Sequence, residues 1–503
     1  MTTEQDKDPA AGAEGEGAPA ESSAEADAAA FEAAAEELGG GFSELEFGAV
    51  DTTGFDTGGF DTIGFDGGFD EEEEQDLDKT PAHGVPLNSF NFDSDPSKTP
   101  PQGTRLPEQS AASQLAAVMA EFGINVPEKE PDFGALQDGL IGLDLGSSDA
   151  VVACFNEDGK AVIVPNSMNQ RTTPARLLRD PDDPEDWLIG VEARQLLPSQ
   201  PEHDYGELKS LFLMEGWSTE IDGRTYSAVD LMGVFCSELI KDAEDHLDFK
   251  PTHVSLSAPV WFKPPQREAL KAAVETAGYE VVGVTDELLA ACVPYSLRLP
   301  DLQPRKAVVV DVGHKGSAIA FIECAGGDMT ILCQAGLPDL GATNWDDLLI
   351  AESVRKFKQH HGFDPREDPS CMTDLNLRVE EAKKSLSLRK HYIMPIQANG
   401  KTLKVRFNRE SFERASRRLL KRLSIFLSKV REKGELAEWS EFDALVVTGG
   451  GARMPMVKKA IEDTVGRQAE PFNAEESVAI GALYWGVSAR HKANKAAEEA
   501  RKS

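Results

Sequence analysis

Two stretches of this chain follow the same plan. Residues 140–155, LIGLDLGSSDAVVACF, and residues 308–323, VVVDVGHKGSAIAFIE, each read as an apolar strand, an aspartate, a glycine-containing turn and a second apolar strand. The repetition predicts two related α/β lobes, each presenting an Asp-bearing turn to a shared cleft, where α/β folds bind their ligands. A third element, ALVVTGGGARMP (444–455), is a buried strand ending in Gly449, Gly450 and Gly451. Only a residue without a Cβ lets backbone lie flat against a ligand.

Between these markers AVIVPN (161–166) and HVSLSAPV (253–260) read as further strands, and residues 230–247 and 265–277 carry helical spacing. A carboxylate at the end of a buried strand, followed by a tight turn, is a place to hold a metal–phosphate group. The first turn suits that role. The second carries His314 and Lys315 where a phosphate turn favours glycine.

Composition narrows the function classes. The 503 residues carry a net charge of −36, most of it within residues 1–138. No basic stripe is visible, so nucleic acid is not an expected partner. The N-terminus has no basic, apolar leader and no run is long enough for a membrane span, so a cytoplasmic protein is expected. Six cysteines lie scattered, mostly in apolar runs and without a CxxC pair, which fits reduced core thiols.

Residues 1–80 are rich in Ala, Gly, Glu and Asp, so disorder is expected there. GFD occurs four times, at Phe55, Phe60, Phe65 and Phe69, ahead of an acidic run. These repeats fit either a solvated spacer or a set of weak, multivalent aromatic anchors. The expected division is a disordered acidic arm (1–108), a linker with one short helix over 110–122 (109–138), two lobes (139–303 and 304–490) and a charged tail (491–503).

Taken in order, these elements resemble the nucleotide-binding domain of the DnaK-type seventy-kilodalton heat-shock chaperones, within the actin-like ATPase superfamily. The likeness runs from about residue 140 to residue 490. It rests on IGLDLGSSDAVVA, on SAPVWFKPPQREALKAAVETAGYEVVGVTDELLAA, on VEEAKKSLS and on VVTGGGARMP followed by FNAEESVAIGAL.

The resemblance implies a two-lobed actin-like fold binding ATP or ADP with Mg²⁺. Asp144 and Asp311 would face the metal through its water, which suits a hard ion that keeps part of its shell. Gly146, Ser147 and Ser148 would hold phosphate, with Gly313 and Gly341 also lining the nucleotide site. Lys209 would steady the attacking water and Glu287 would order it. Glu380 would reach the ribose, with Lys383, Lys384 and Ser387 on the same helical face. Gly450, Gly451 and Arg453 would close on the adenine, with Glu475 nearby. Each residue also has a plainer reading: strand-end turn, surface lysine, helix N-terminal charge or solvated helix face.

Two departures shape the functional expectation. In the second loop His314 and Lys315 replace family glycines, Gly316 replaces a threonine and Ala318 replaces an aspartate. Nucleotide binding is expected to survive while hydrolysis slows, as in the large heat-shock relatives that act as exchange factors. The resemblance also leads to no expected counterpart here of the family's interdomain linker and peptide-binding β-domain. The leading expectation is a nucleotide-dependent cochaperone or regulator with a chaperone, cochaperone or client as partner. The alternatives are a slow ATPase chaperone whose arm engages clients, and an actin-like scaffold.

Overall fold

The computed structural model describes residues 137–183, 185–197, 205–299, 304–325, 328–434, 436, 438–471 and 473–502, together with the strand Glu46–Gly48. The remainder of the acidic arm, its GFD repeats and the helix expected over 110–122 lie outside the described residues.

The two Asp-bearing strands occupy equivalent places in two sheets. In the first, the Asp144 strand (Leu140–Leu145) pairs antiparallel with its return strand Asp149–Phe155, which pairs antiparallel with Ala161–Val164. On its other side it pairs parallel with His253–Ala258, and that strand with Glu280–Asp286. In the second sheet the Asp311 strand (Arg305–Val312) pairs antiparallel with Ser317–Ala325, which pairs with Asp328–Leu337. Its parallel neighbour is Ala444–Thr448. Glu46–Gly48, from the arm, adds an antiparallel strand at the outer edge, opposite Gln334 to Gly336. The sheet order is thus duplicated, as the repeated sequence plan requires.

The strands are near-continuous apolar runs because helices cover them on both sides. Val308, Val309 and Val310 are fully buried, as are Leu140, Ile141 and Leu143. The helices begin where local chemistry allows. Ser227 and Asp230 form a reciprocal capping box for Ala228–Glu244, and Pro264 and Pro265 occupy the first turn of Pro264–Thr276.

Two helices join the lobes. Glu287–Ser296 places Leu288, Leu289, Ala291 and Cys292 in one apolar cluster with Val309, Ala320 and Val446 of the second sheet. The last helix, Ser477–Lys502, leaves the second lobe and lays Ala479, Leu483 and Val487 against Leu140, Val151 and Ala153 of the first. The two helices cross at Gly481, where a Cβ would stand 1.9 Å from the Ala290 carbonyl oxygen. Gly481→Ala is therefore expected to cost about 1–3 kcal/mol, through overpacking that neither backbone can relieve. Urea unfolding of the variant measures this.

All six cysteines are free and buried, as expected of core thiols. Among the described residues no helix is long and apolar enough to cross a membrane.

Candidate nucleotide cleft

Each aspartate stands where its sheet stops. Asp144 and Asp311 are the penultimate residues of their strands, and the parallel neighbour of each supplies a hydroxyl residue alongside. Ser257 Oγ donates to Asp144 Oδ1 at 3.2 Å. Asp311 lies in register with Thr448, whose hydroxyl donates to the Ala474 carbonyl at 2.6 Å. The next residue, Gly449, has φ +85°, and a Cβ there would lie 2.4 Å from Asp311 Oδ1. That glycine is needed both for its backbone and for the aspartate's place.

Lys209 and Glu287 complete the group. Lys209 lies in the short helix Leu208–Leu211, only 5% exposed, with its ammonium bonded to the Glu287 carboxylate. Glu287 opens its helix, where the helix dipole favours negative charge. The four groups act on one another. Burial lifts the Asp144 carboxyl to about 6, Glu287 adds to the rise, and Lys209 and the Ser257 hydrogen bond oppose it. Asp311 is lifted to about 8 by burial and by the charges of Glu287 and Asp144, against Lys209. Three carboxylates around one ammonium leave an excess of negative charge that a divalent cation relieves.

The turns differ as their sequences do. In the first, a Cβ on Gly146 would sit 2.3 Å from the Asp149 carbonyl oxygen, and Ser148 Oγ donates to Asp149 Oδ2 at 2.7 Å. Ser147 lies in the same half-buried turn. In the second, the Gly313 N–H donates to the Gly316 carbonyl at 2.9 Å. The N–H groups of Ala342 and Thr343 donate to the Gly313 and His314 carbonyls at 2.9 and 3.0 Å. The turn is thereby docked on the N-terminus of helix Ala342–His361. Gly341 packs directly behind it, where a Cβ would lie 2.2 Å from the Lys315 carbonyl carbon.

The residues expected around a nucleoside divide into two groups. Glu380 on helix Pro369–Leu388 accepts from Arg194 Nη2 at 2.9 Å and pairs with Lys384 Nζ at 2.6 Å. Arg453 Nη2 pairs with Glu475 Oε2 at 2.7 Å. Burial raises the Glu475 carboxyl; the charges of Arg453 and Lys384 lower it and that of Asp149 raises it, so these groups share one field. Gly451 packs against Val312, whereas a Cβ on Gly450 would meet nothing within 4 Å, so that backbone faces open space.

Lys383 and Ser387 are engaged elsewhere. Lys383 Nζ bonds Asp346 Oδ2 at 2.6 Å and the Ala342 carbonyl at 3.2 Å, and Ser387 Oγ donates to the Lys383 carbonyl at 3.0 Å. The four-residue helical face is therefore not presented as one open surface: Lys383 is buried and Lys384 is 60% exposed.

Sequence reasoning missed Arg194, Asp149, Ser257, Asp346 and Glu207. Asp149 follows the first turn, and Ser257 lies one residue before the end of the strand beside Asp144, so both were within reach. Arg194 and Asp346 meet their partners only through tertiary folding.

Duplicated sheets with paired strand-end aspartates, bridged by crossing helices, define a two-lobed actin-like ATPase fold. Comparison with known proteins specifies the class. A family model described as Hsp70 protein matches residues 213–491, more than half of the chain. The chain is 27% identical over 351 residues to the chaperone protein DnaK of Thermotoga neapolitana, covering 68% of this chain and 58% of that protein. It is 28% identical over 354 residues to the DnaK of Thermosipho africanus, again spanning 58% of the relative's length. The chain belongs to the Hsp70 family.

Proposed function

We propose that the cleft binds an adenine nucleotide, ATP or ADP, with Mg²⁺, that hydrolysis there is slow, and that nucleotide-dependent closure of the lobes governs a protein partner. The observation that carries this reading is the convergence of Asp144, Asp311, Glu287 and Lys209 between two equivalent strand ends. Among the described residues no three metal-ligating side chains meet closely enough to hold a bare ion, so Asp144 and Asp311 would hold the metal through its water. When bound, Mg²⁺ would neutralise charge on the phosphates and on the carboxylates that face them.

The chain's own residues supply the rest. Gly146, Ser147 and Ser148 offer backbone and hydroxyl donors to phosphate, and Lys209 brings an ammonium held in place by Glu287. Phosphoryl transfer needs little beyond positioning and charge stabilisation. The Arg194–Glu380–Lys384 group and the open backbone at Gly450 lie ready for the nucleoside. Hydrolysis is slow in this reading because the second loop has side chains in place of glycines and Ala318 in place of a carboxylate. The matched relatives are named as chaperones. A cochaperone or regulatory role, with a chaperone, cochaperone or client as partner, fits a nucleotide domain whose hydrolytic loop is altered.

A binder gains stability from its ligand by mass action. Millimolar ATP–Mg²⁺ and ADP–Mg²⁺ are each expected to raise the melting temperature of the full chain. No shift with either nucleotide would overturn the reading.

A further inference from the structure

The second loop carries an imidazole and an ammonium at the reacting end of the cleft, and both reach the opposite lobe. Lys315 Nζ lies 2.7 Å from Glu207 Oε1, and His314 Nε2 lies 3.8 Å from the same oxygen. Glu207 belongs to the first lobe and immediately precedes the helix that carries Lys209. Its φ is +56°, a left-handed conformation that a non-glycine residue adopts only at a cost. Burial works to raise its carboxyl, but hydrogen bonds and charge from His314 and Lys315 outweigh this and hold it at about 2. The loop side of the contact is equally fixed, docked on helix Ala342–His361 with Gly341 packed behind Lys315.

We propose that the Glu207–Lys315 pair, with His314, is a bar across the cleft that selects a nucleoside diphosphate over the triphosphate. The inference rests on the nucleotide reading above and takes the second loop to face the terminal phosphate. At this end the cations are already committed, Lys209 to Glu287 and Lys315 to Glu207. A third phosphate brings further negative charge to this place and must part Lys315 from Glu207 to enter. A diphosphate stops at the first turn and leaves the bar closed. The cost of opening therefore falls on the triphosphate alone.

The test is calorimetric titration of the full chain with ADP–Mg²⁺ and with a non-hydrolysable ATP analogue and Mg²⁺. The wild type should bind ADP at least about tenfold more tightly, a difference of ~1.4 kcal/mol. Lys315→Gly and Glu207→Gln should each bring the two affinities together, chiefly by strengthening the triphosphate. Both side chains are partly exposed, and a thermal melt of each variant verifies folding. Equal binding of both nucleotides by the wild type would overturn the bar while leaving the nucleotide site intact. Selective weakening of the triphosphate by Lys315→Gly would also overturn it, because Lys315 would then be a phosphate ligand. Failure of both nucleotides to bind would remove the nucleotide reading, and the bar with it.

Discussion

Rewriting the second loop to the family pattern, with His314→Gly, Lys315→Gly, Gly316→Thr and Ala318→Asp, is expected to raise phosphate release from ATP by at least about tenfold, or ~1.4 kcal/mol of barrier. Loss of one preorganised donor at a reacting centre costs ~2.7–4 kcal/mol, so restoring even part of that set reaches this threshold. Ala318 is buried and lies directly opposite Asp311 in the antiparallel hairpin. Its replacement would add a second carboxylate beside the first, useful once a metal is bound and a burden before that. Gly316→Thr has its own cost, because a Cβ there would stand 2.9 Å from the Leu337 carbonyl oxygen. A parallel variant that keeps Gly316 separates that strain from the gain. Steady-state phosphate release measures the rate, and ADP affinity should change much less. An unchanged rate would mean that this loop does not limit hydrolysis. Loss of hydrolysis on replacing Lys315 alone would show that its ammonium supplies charge to the phosphates.

Much of this architecture is legible in the sequence because strand, aspartate and turn recur at two places. Apolar continuity marks strands buried on both faces, and the duplicated hairpins lie at equivalent places in their sheets. The glycines after Thr448 are legible for a related reason, since Gly449 is required by its φ and by Asp311. Side-chain direction is not legible. Residues 380, 383, 384 and 387 share one helical face by spacing, yet the buried Asp346 draws Lys383 away from Lys384. Arg194 meets Glu380 across 186 residues of chain, a pairing that no local pattern encodes. Glu207 sits two residues before Lys209, but its partners lie in the other lobe. The chemistry of the second loop is clear from its residues, whereas what His314 and Lys315 touch depends on how the lobes meet.

Lys209→Met is expected to destabilise the ligand-free protein by about 3–5 kcal/mol near pH 8, the scale for removing one partner of a buried ion pair. The loss should be much smaller near pH 5. Lys209 is 5% exposed, and its ammonium opposes the rise of both Asp144 and Asp311. Both aspartates already titrate above the unfolded value, at about 6 and about 8. A folded-state carboxyl raised in this way contributes stability that is fully present below its unfolded value. That stability is lost as pH climbs through the folded value, because the folded protein binds the extra proton. Without Lys209 both values move higher still, and the added loss accumulates above the wild-type folded values, from about pH 6 for Asp144 and from about pH 8 for Asp311. Urea unfolding at the two pH values measures it. A loss independent of pH would mean that Lys209 contributes by packing alone. Adding Asp144→Asn to the Lys209→Met protein should recover more stability at pH 8 than at pH 5, because the proton that the folded carboxyl retains costs more as pH rises above the unfolded value. The four-variant cycle formed by these changes gives the coupling between the ammonium and the carboxylate directly.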